Sequence, residues 1–219
     1  CFQIADAAEL YGFAAYVSGT HWMYYNVKMP TACGKLTKDV VVNEHVLNED
    51  GSLDSLNTLS FLIWNPIDSF AGTFNGQGHT ISGLYNSKDD GGSKGFIYKV
   101  GLVKDSVVIK NLGIEDTYFA GSTYVGGLVV QVEDKRSWNV QTATVVPMII
   151  DSCHFDGTLV AMSSYAAGLV EEVSGTMIIR NSHVGGKISS AYGSAGFVTS
   201  VAGTVTIDDS YNAADLFTE

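Results

Sequence analysis

Isoleucine recurs at positions 81, 109, 150, 179 and 207, at intervals of 28, 41, 29 and 28 residues. Each opens a similar phrase: ISGLY (81–85), IKNLGI (109–114), IDSCHF (150–155), IRNSHV (179–184) and IDDSYN (207–212). A second phrase follows the first four: KGFIYKV (94–100), GGLVVQV (126–132), AGLVEEV (167–173) and AGFVTSV (195–201). A fixed period of this length means one supersecondary unit stacked on copies of itself, none able to bury its apolar side alone. Within a phrase, apolar Ile150, Cys153 and Phe155 are separated by polar Asp151 and His154, and every copy carries a glycine cluster. Alternation with Val, Ile and Thr between turns predicts short strands, and helices would not tolerate so many glycines. The expected fold class is all-β: a right-handed parallel β-helix, or solenoid, with equivalent residues of successive coils stacked at about 4.8 Å. The long interval coincides with EDKRSWNVQTATVVP, residues 133–147, which reads as a loop inserted between coils.

The stack predicts columns. Ile81, Ile109, Ile150, Ile179 and Ile207 form one inward column, and Leu84, Leu112, Cys153, Ser182 and Ser210 another. Asn111, Ser152, Asn181 and Asp209 fall at one corner, where short polar side chains bond the turn backbone. Gly127, Gly168 and Gly196 mark a second corner, where a positive φ is affordable. Four residues after each ladder isoleucine come Tyr85, Gly113, His154, His183 and Tyr211, which predicts an outward aromatic and imidazole stripe.

Residues 1–69 differ and are expected to cap the array, leaving the coils to 70–219. IADAAELYGFAAYVSG (4–19) sets Asp6 and Glu9 three apart as a capping box, puts Leu10, Phe13, Ala14 and Val17 on one face and stops at Gly19, which predicts a short helix. KLTKDVVVNEHVL (35–47) is strand-like, and FAGTFNGQGHTISGLY (70–85) is a turn-rich entry to the first coil. An open solenoid end needs cover, so the helix is expected to close the N-terminal end.

Composition narrows the partners. Twelve basic against 23 acidic residues give a net charge of −11, which repels a phosphate backbone and argues against nucleic acid. No apolar run is long enough to span a membrane. The sequence starts at Cys1 rather than methionine, so a processed or excised piece, with any export signal upstream, is expected. Cys1 and Cys33 flank the cap segment, whereas Cys153 occupies a ladder position taken elsewhere by Leu or Ser. One Cys1–Cys33 disulfide and one buried thiol are expected, in keeping with an extracellular or cell-surface location. The three cysteines form no zinc-ligand spacing, and neither a metal nor another cofactor is expected.

AGLVEEVSGTMIIRNSHV, with GGLVVQV and AGFVTSVAGTVTIDDSY beside it, resembles the GLUG repeats of bacterial surface proteins, a Gly-Leu-Val phrase followed by Gly-x-x-x-Ile-x-Asn-Ser. FAGTFNGQGHTISGLY resembles the segment that opens such arrays, and IADAAELYGFAAYVSGT the helix before it, so that the resemblance covers nearly the whole chain. Val130, Glu171 and Thr199 stand where the pattern has its final glycine. The resemblance implies a secreted or surface-attached, adhesin-like protein and no shared catalytic residues.

Glu171–Glu172 align with Val130–Gln131 and Thr199–Ser200, which predicts exposed corner positions rather than paired catalytic carboxylates. Asp208–Asp209 fill the slots of Lys110–Asn111 and Arg180–Asn181, and His79 in GQGHTI is read as structural. His154, His183 and Tyr211, with Tyr85, are the ligand-binding candidates, since rings with apolar faces and polar edges suit sugars; the alternative is β-favouring residues that shield the sheet. Two histidines lack a third metal ligand. A second group, Trp22 and Tyr24 in HWMYY with Trp64 and Tyr11, either packs the cap or forms a recognition patch. Asp89–Asp90 in NSKDDGGSKG make a conceivable Ca²⁺ loop without EF-hand spacing. The function expected is non-enzymatic adhesion or ligand presentation as a module of a larger surface protein, with polysaccharide or a host surface ligand as partner. The alternatives are a structural spacer or self-assembling filament subunit joined through the solenoid ends, and a carbohydrate-active β-helix enzyme.

Overall fold

The computed structural model of the chain describes all residues except 22, 24, 25, 89, 103, 104, 135–145 and 219. The inserted segment expected at 133–147 and the ring candidates Trp22 and Tyr24 therefore lie wholly or largely outside the described residues. Strand β1 (Phe2–Ile4), helix α1 (Ala7–Ser18) and strands β2 (Cys33–Leu36) and β3 (Val40–Val41) come first. The first repeat holds β4 (Thr73–Ser82), β5 (Tyr85–Asn86) and β6 (Ile97–Leu102), and the second β7 (Val107–Gly121), β8 (Val125–Gly126) and β9 (Val129–Asp134). The third holds β10 (Met148–Asp151), β11 (His154–Ala161), β12 (Tyr165–Ala167) and β13 (Val170–Val173), and the fourth β14 (Thr176–Arg180), β15 (His183–Ser190), β16 (Gly193–Ala195) and β17 (Val198–Val201). The last holds β18 (Thr204–Asp208), β19 (Tyr211–Asn212) and β20 (Asp215–Thr218).

The fold is all-β with parallel sheets, and α1 is the one helix among the described residues. The largest sheet runs β1-β2-β4-β7-β10-β14-β18, with β11 and β15 joined through β7; β8, β12 and β16 form a second sheet, and β6, β9, β13 and β17 a third. Each repeat thus adds its strands beside those of the repeat before it. Ile109, Ile150, Ile179 and Ile207 are ladder partners, as their spacing predicts. Ile81 is not in that column: Phe74 pairs with Ile109, and Ile81 pairs with Ile114. The entry strand takes a wider corner, Gly76-Gln77-Gly78, where Asn75 to His79 spans what Lys110 to Leu112 spans in the next repeat. The shift also removes Leu84 from the Leu112 column.

Asn111, Ser152, Asn181 and Asp209 all sit in the left-handed region, with φ between 46 and 56°. Asn181 Nδ2 donates to Asp151 Oδ1 at 3.1 Å and ties neighbouring corners together. Gly127, Gly168 and Gly196 do not use the positive φ open to them. Their reason is space: a Cβ on Gly168 would lie 2.3 Å from Val184 Cγ1 and 2.4 Å from the Gly196 carbonyl oxygen, and one on Gly127 2.0 Å from the Gly168 carbonyl oxygen.

Asp6 caps α1 by accepting from the Glu9 amide, and Gly19 ends it at φ 75°. Leu10, Phe13, Ala14 and Val17 are buried, and Phe13 packs on Phe70 and Phe74, so the helix lies over the first-repeat end of the core. Cys1 and Cys33 are bonded, with their Cα atoms 4.5 Å apart, and Cys153 is buried and free. Beyond Val41 the strand-like stretch ends, and residues 42–72 cross the surface in turns and isolated bridges. Buried Asn43 holds this crossing by donating to the Leu62 and Gly83 carbonyl oxygens. Asp116, in the left-handed region at a bulge in β7, accepts from the Val46 and Leu47 amides. Because β2 and β3 pair with β4, the segment before residue 70 shares one core with the repeats. No helix among the described residues is long and apolar enough to cross a membrane.

Candidate functional site

Parallel pairing in register puts His154 of β11 opposite His183 of β15, and His183 opposite Tyr211 of β19. The rings then stack along the ladder: centroids are 4.9 Å apart at 12° for the histidines and 5.0 Å apart at 3° for His183 and Tyr211. These distances are close to the strand separation of about 4.8 Å, so backbone pairing sets the stack. Gly113 precedes His154 in the column, and a Cβ there would sit 2.4 Å from His154 Cε1. Glycine makes the room in which the imidazole lies. His154 Nε2 meets Glu115 Oε1 at 2.7 Å. Burial, then the neighbouring His154, lowers the pKa of His183, and Asp156 opposes them. The folded chain therefore disfavours the protonated form of His183, and the stability tied to it is lost as pH falls from the ordinary imidazole range toward the lowered value.

Tyr85, expected in the same column, is elsewhere. Thr80 pairs with Gly113, while Tyr85 is buried and pairs with Tyr118, ring centroids 6.3 Å apart. The displaced entry register moves it to another column. Stacking also changes what the stripe can offer. His183 is covered on both faces and His154 lies between Gly113 and His183, so ring edges face outward and only Tyr211, 59% exposed, has an open face.

Beside the stack lies a groove of about 730 Å³, with Glu115, Asp116, Asp156, Lys187 and Asp215 on one wall and residues 47–51 on the other. Thr158 Oγ1 donates to the Gly51 carbonyl oxygen at 2.6 Å and docks that second wall. Hydrogen bonds from Ser52, with a smaller contribution from the Lys187 charge, hold the exposed Asp50 carboxyl below its ordinary range. Carboxylates dominate this groove, so it accepts hydrogen bonds from hydroxyl and ammonium groups and repels anions. Periodicity places the ring column but gives no signal for the groove, whose second wall comes from outside the repeat.

Glu171 is not the exposed corner residue expected: it is 1% exposed. Thr199 Oγ1 approaches Glu171 Oε1 at 3.4 Å, and Glu171 Oε2 has no hydrogen-bond partner. Burial, then the Glu172 charge, pushes its pKa up to about 7. Glu172 instead accepts from Gln131 Nε2 at 2.8 Å. Glu171 is buried, whereas Glu172 is partly exposed. Asp209 is a corner residue, and Arg180 pairs with Asp151 at 2.9 Å. His79 Nδ1 meets Asp39 Oδ1 at 3.1 Å and links the segment before β4 to that strand. Trp64 is buried and stacks on Phe96, and Tyr11 donates to the Ile63 carbonyl oxygen, so both pack the cap. Burial raises the Tyr11 pKa to about 12. In the conceivable Ca²⁺ loop, Asp90 Oδ1 is held at 2.6 Å by Lys94, whose side chain is 2% exposed, and Asp89 lies outside the described residues. Among the described residues no three His, Cys, Asp or Glu side chains are grouped to hold a metal ion.

No protein-family model, curated protein or solved structure matches the chain.

Proposed function

We propose that the chain is a right-handed parallel β-solenoid of the GLUG-repeat kind and a non-enzymatic adhesion or ligand-presentation module of an extracellular or cell-surface protein. The observation that carries the ligand-binding role is the His154–His183–Tyr211 ring column running beside the acidic groove. Imidazole edges and the tyrosine hydroxyl supply donors and acceptors, the open Tyr211 face can take one sugar ring, and the groove carboxylates receive hydroxyl hydrogens. Acidity selects within the class: a neutral or amino-bearing polysaccharide suits this surface, and a polyuronate does not. Parallel ladders with a 28-residue period support the solenoid, and the Cys1–Cys33 bridge supports an oxidising location. The carbohydrate-active reading gains nothing from Glu171, which is buried, or from Glu172, which is engaged by Gln131.

The test is retention on a polysaccharide panel of neutral glucans and xylans, chitosan and polygalacturonate. The purified protein is compared with a folded His154→Ala/His183→Ala/Tyr211→Ala variant. Binding to neutral or amino polymers that the triple variant loses supports the proposal. Binding to no polymer, to polygalacturonate best, or equally by both proteins would overturn it.

A further inference from the structure

The second, third and fourth repeats turn from a long strand into a short one at the same corner, between β7 and β8, β11 and β12, and β15 and β16. No charge falls on it: residues 117–132, 157–170 and 188–207 hold no Asp, Glu, Lys, Arg or His, in a chain whose net charge is −11. What the corner carries instead is tyrosine. Val125 and Gly126 pair with Ala166 and Ala167, so Tyr124 and Tyr165, which precede them, fall in one column. Tyr124 is 39% and Tyr165 42% exposed, although each has a paired repeat on either side. Tyr165 pairs with Gly193, and a Cβ there would lie 3.2 Å from Tyr165 Cδ1, so the glycine makes room for the ring. Tyr192 meets Tyr165 with centroids 5.9 Å apart at 46°. Rings tilted this far do not cover one another's faces, in contrast to the parallel His183–Tyr211 pair. Partly buried Ser122 and exposed Ser163 flank them. The strip stops at the first repeat, where Lys94 bridges to Val125 with a buried side chain that Asp90 neutralises.

We propose that this corner is a second carbohydrate-binding surface, which takes a neutral polysaccharide lying along the stack of repeats. A tyrosine ring offers a wide, rigid contact at little entropic cost, and serine beside it adapts its hydrogen bonds to a ligand. In a parallel ladder equivalent positions recur about every 4.8 Å, comparable to the length of one pyranose unit, so one extended glycan touches successive repeats. Charge decides the class. The acids of the groove repel anionic polymers and favour amino-bearing ones, whereas a corner without charge offers an ammonium group no partner and opposes no ligand made of hydroxyls and ring carbons. The surface rests on the reading of the chain as a glycan binder, but on neither the ring column nor the groove. His154 opens β11 and Tyr165 opens β12, so the eight residues of β11 set them roughly 25 Å apart.

Titration calorimetry with soluble xylan and with chitosan oligomers separates the two surfaces. Tyr124→Ala/Tyr165→Ala should bind xylan about tenfold more weakly than wild type, since each ring contact changes an equilibrium constant several-fold, and should bind chitosan unchanged. Xylan binding should also keep its strength from low to high salt. Wild type that binds no xylan, xylan binding that weakens steeply with salt, or a tyrosine variant that binds xylan as wild type does would each overturn the inference. If His154→Ala/His183→Ala/Tyr211→Ala abolishes xylan binding and the tyrosine variant keeps it, the ring-column reading stands and this one fails. The reverse pattern keeps this surface and removes the ring column. A proline-rich peptide that binds these rings where xylan does not assigns the corner to a protein partner and overturns the glycan. If Tyr124→Ala/Tyr165→Ala does not fold, ring-proton NMR of the intact chain with xylan oligomers decides: shifts at Tyr124, Tyr165 and Tyr192 support the surface, and shifts confined to other rings refute it.

Discussion

At the scale of single residues, Glu171 is where burial and charge conflict most. The folded chain holds its proton up to about pH 7, whereas the ordinary value is 4.5. Stability therefore falls as pH rises through that interval, by up to about 3 kcal/mol. Glu171→Val, which copies Val130 of the preceding repeat, should melt higher than wild type at pH 8 and lose most of the difference at pH 4.5; parallel pH profiles would remove burial as the cause. Burial also pushes the Cys153 thiol up to about 12. Under native conditions the chain should take up no alkylating reagent, against one thiol after denaturation and three after denaturation with reductant. Rapid native labelling of Cys153 would contradict its placement. The ring column was legible from sequence because a period reports which residues stack. Burial of Glu171 was not, because Val129 and Val130, like Leu169, Val170 and Glu171, are buried in succession, and two-residue alternation does not apply at that corner.

At the scale of elements, corners carry the repeat. Asn181 holds φ 51°, a conformation that costs other L-residues roughly 1–2 kcal/mol. Asn181→Val should lower the unfolding free energy by about that much, Asn181→Gly by much less, and equal effects in urea titrations would place the cost in the Asp151 hydrogen bond instead. Gly168→Ala meets Val184 and the Gly196 backbone, and overpacking of this kind costs about 1–3 kcal/mol. Calorimetry should show the loss, and Val184→Ala should recover part of it if Val184 is the obstacle. The polar corner was legible because Asn, Ser and Asp recur there. The glycine corner was legible in position but not in cause, since a sequence records that a Cβ is missing and not whether φ or crowding excludes it. The entry repeat was misaligned because the corner after Phe74 is two residues wider than the one after Ile109, which no periodic template contains.

At the scale of the whole molecule, the disulfide closes the first segment on itself across 32 residues. In the chain-entropy account such a loop contributes about 3–4 kcal/mol. Cys1→Ser/Cys33→Ser should shift urea unfolding by an amount of that order, and an unchanged midpoint would mean that α1 and β1 hold without it. The order of strand pairing has a further consequence for how these 219 residues come apart. In a one-dimensional array every strand is held by the neighbours on either side of it, and β18 to β20 have only one. Opening is therefore vectorial: the molecule unzips from its final repeat toward α1. Amide hydrogens should exchange fastest over residues 204–218 and slowest in β7 and β11, giving a gradient of protection along the chain.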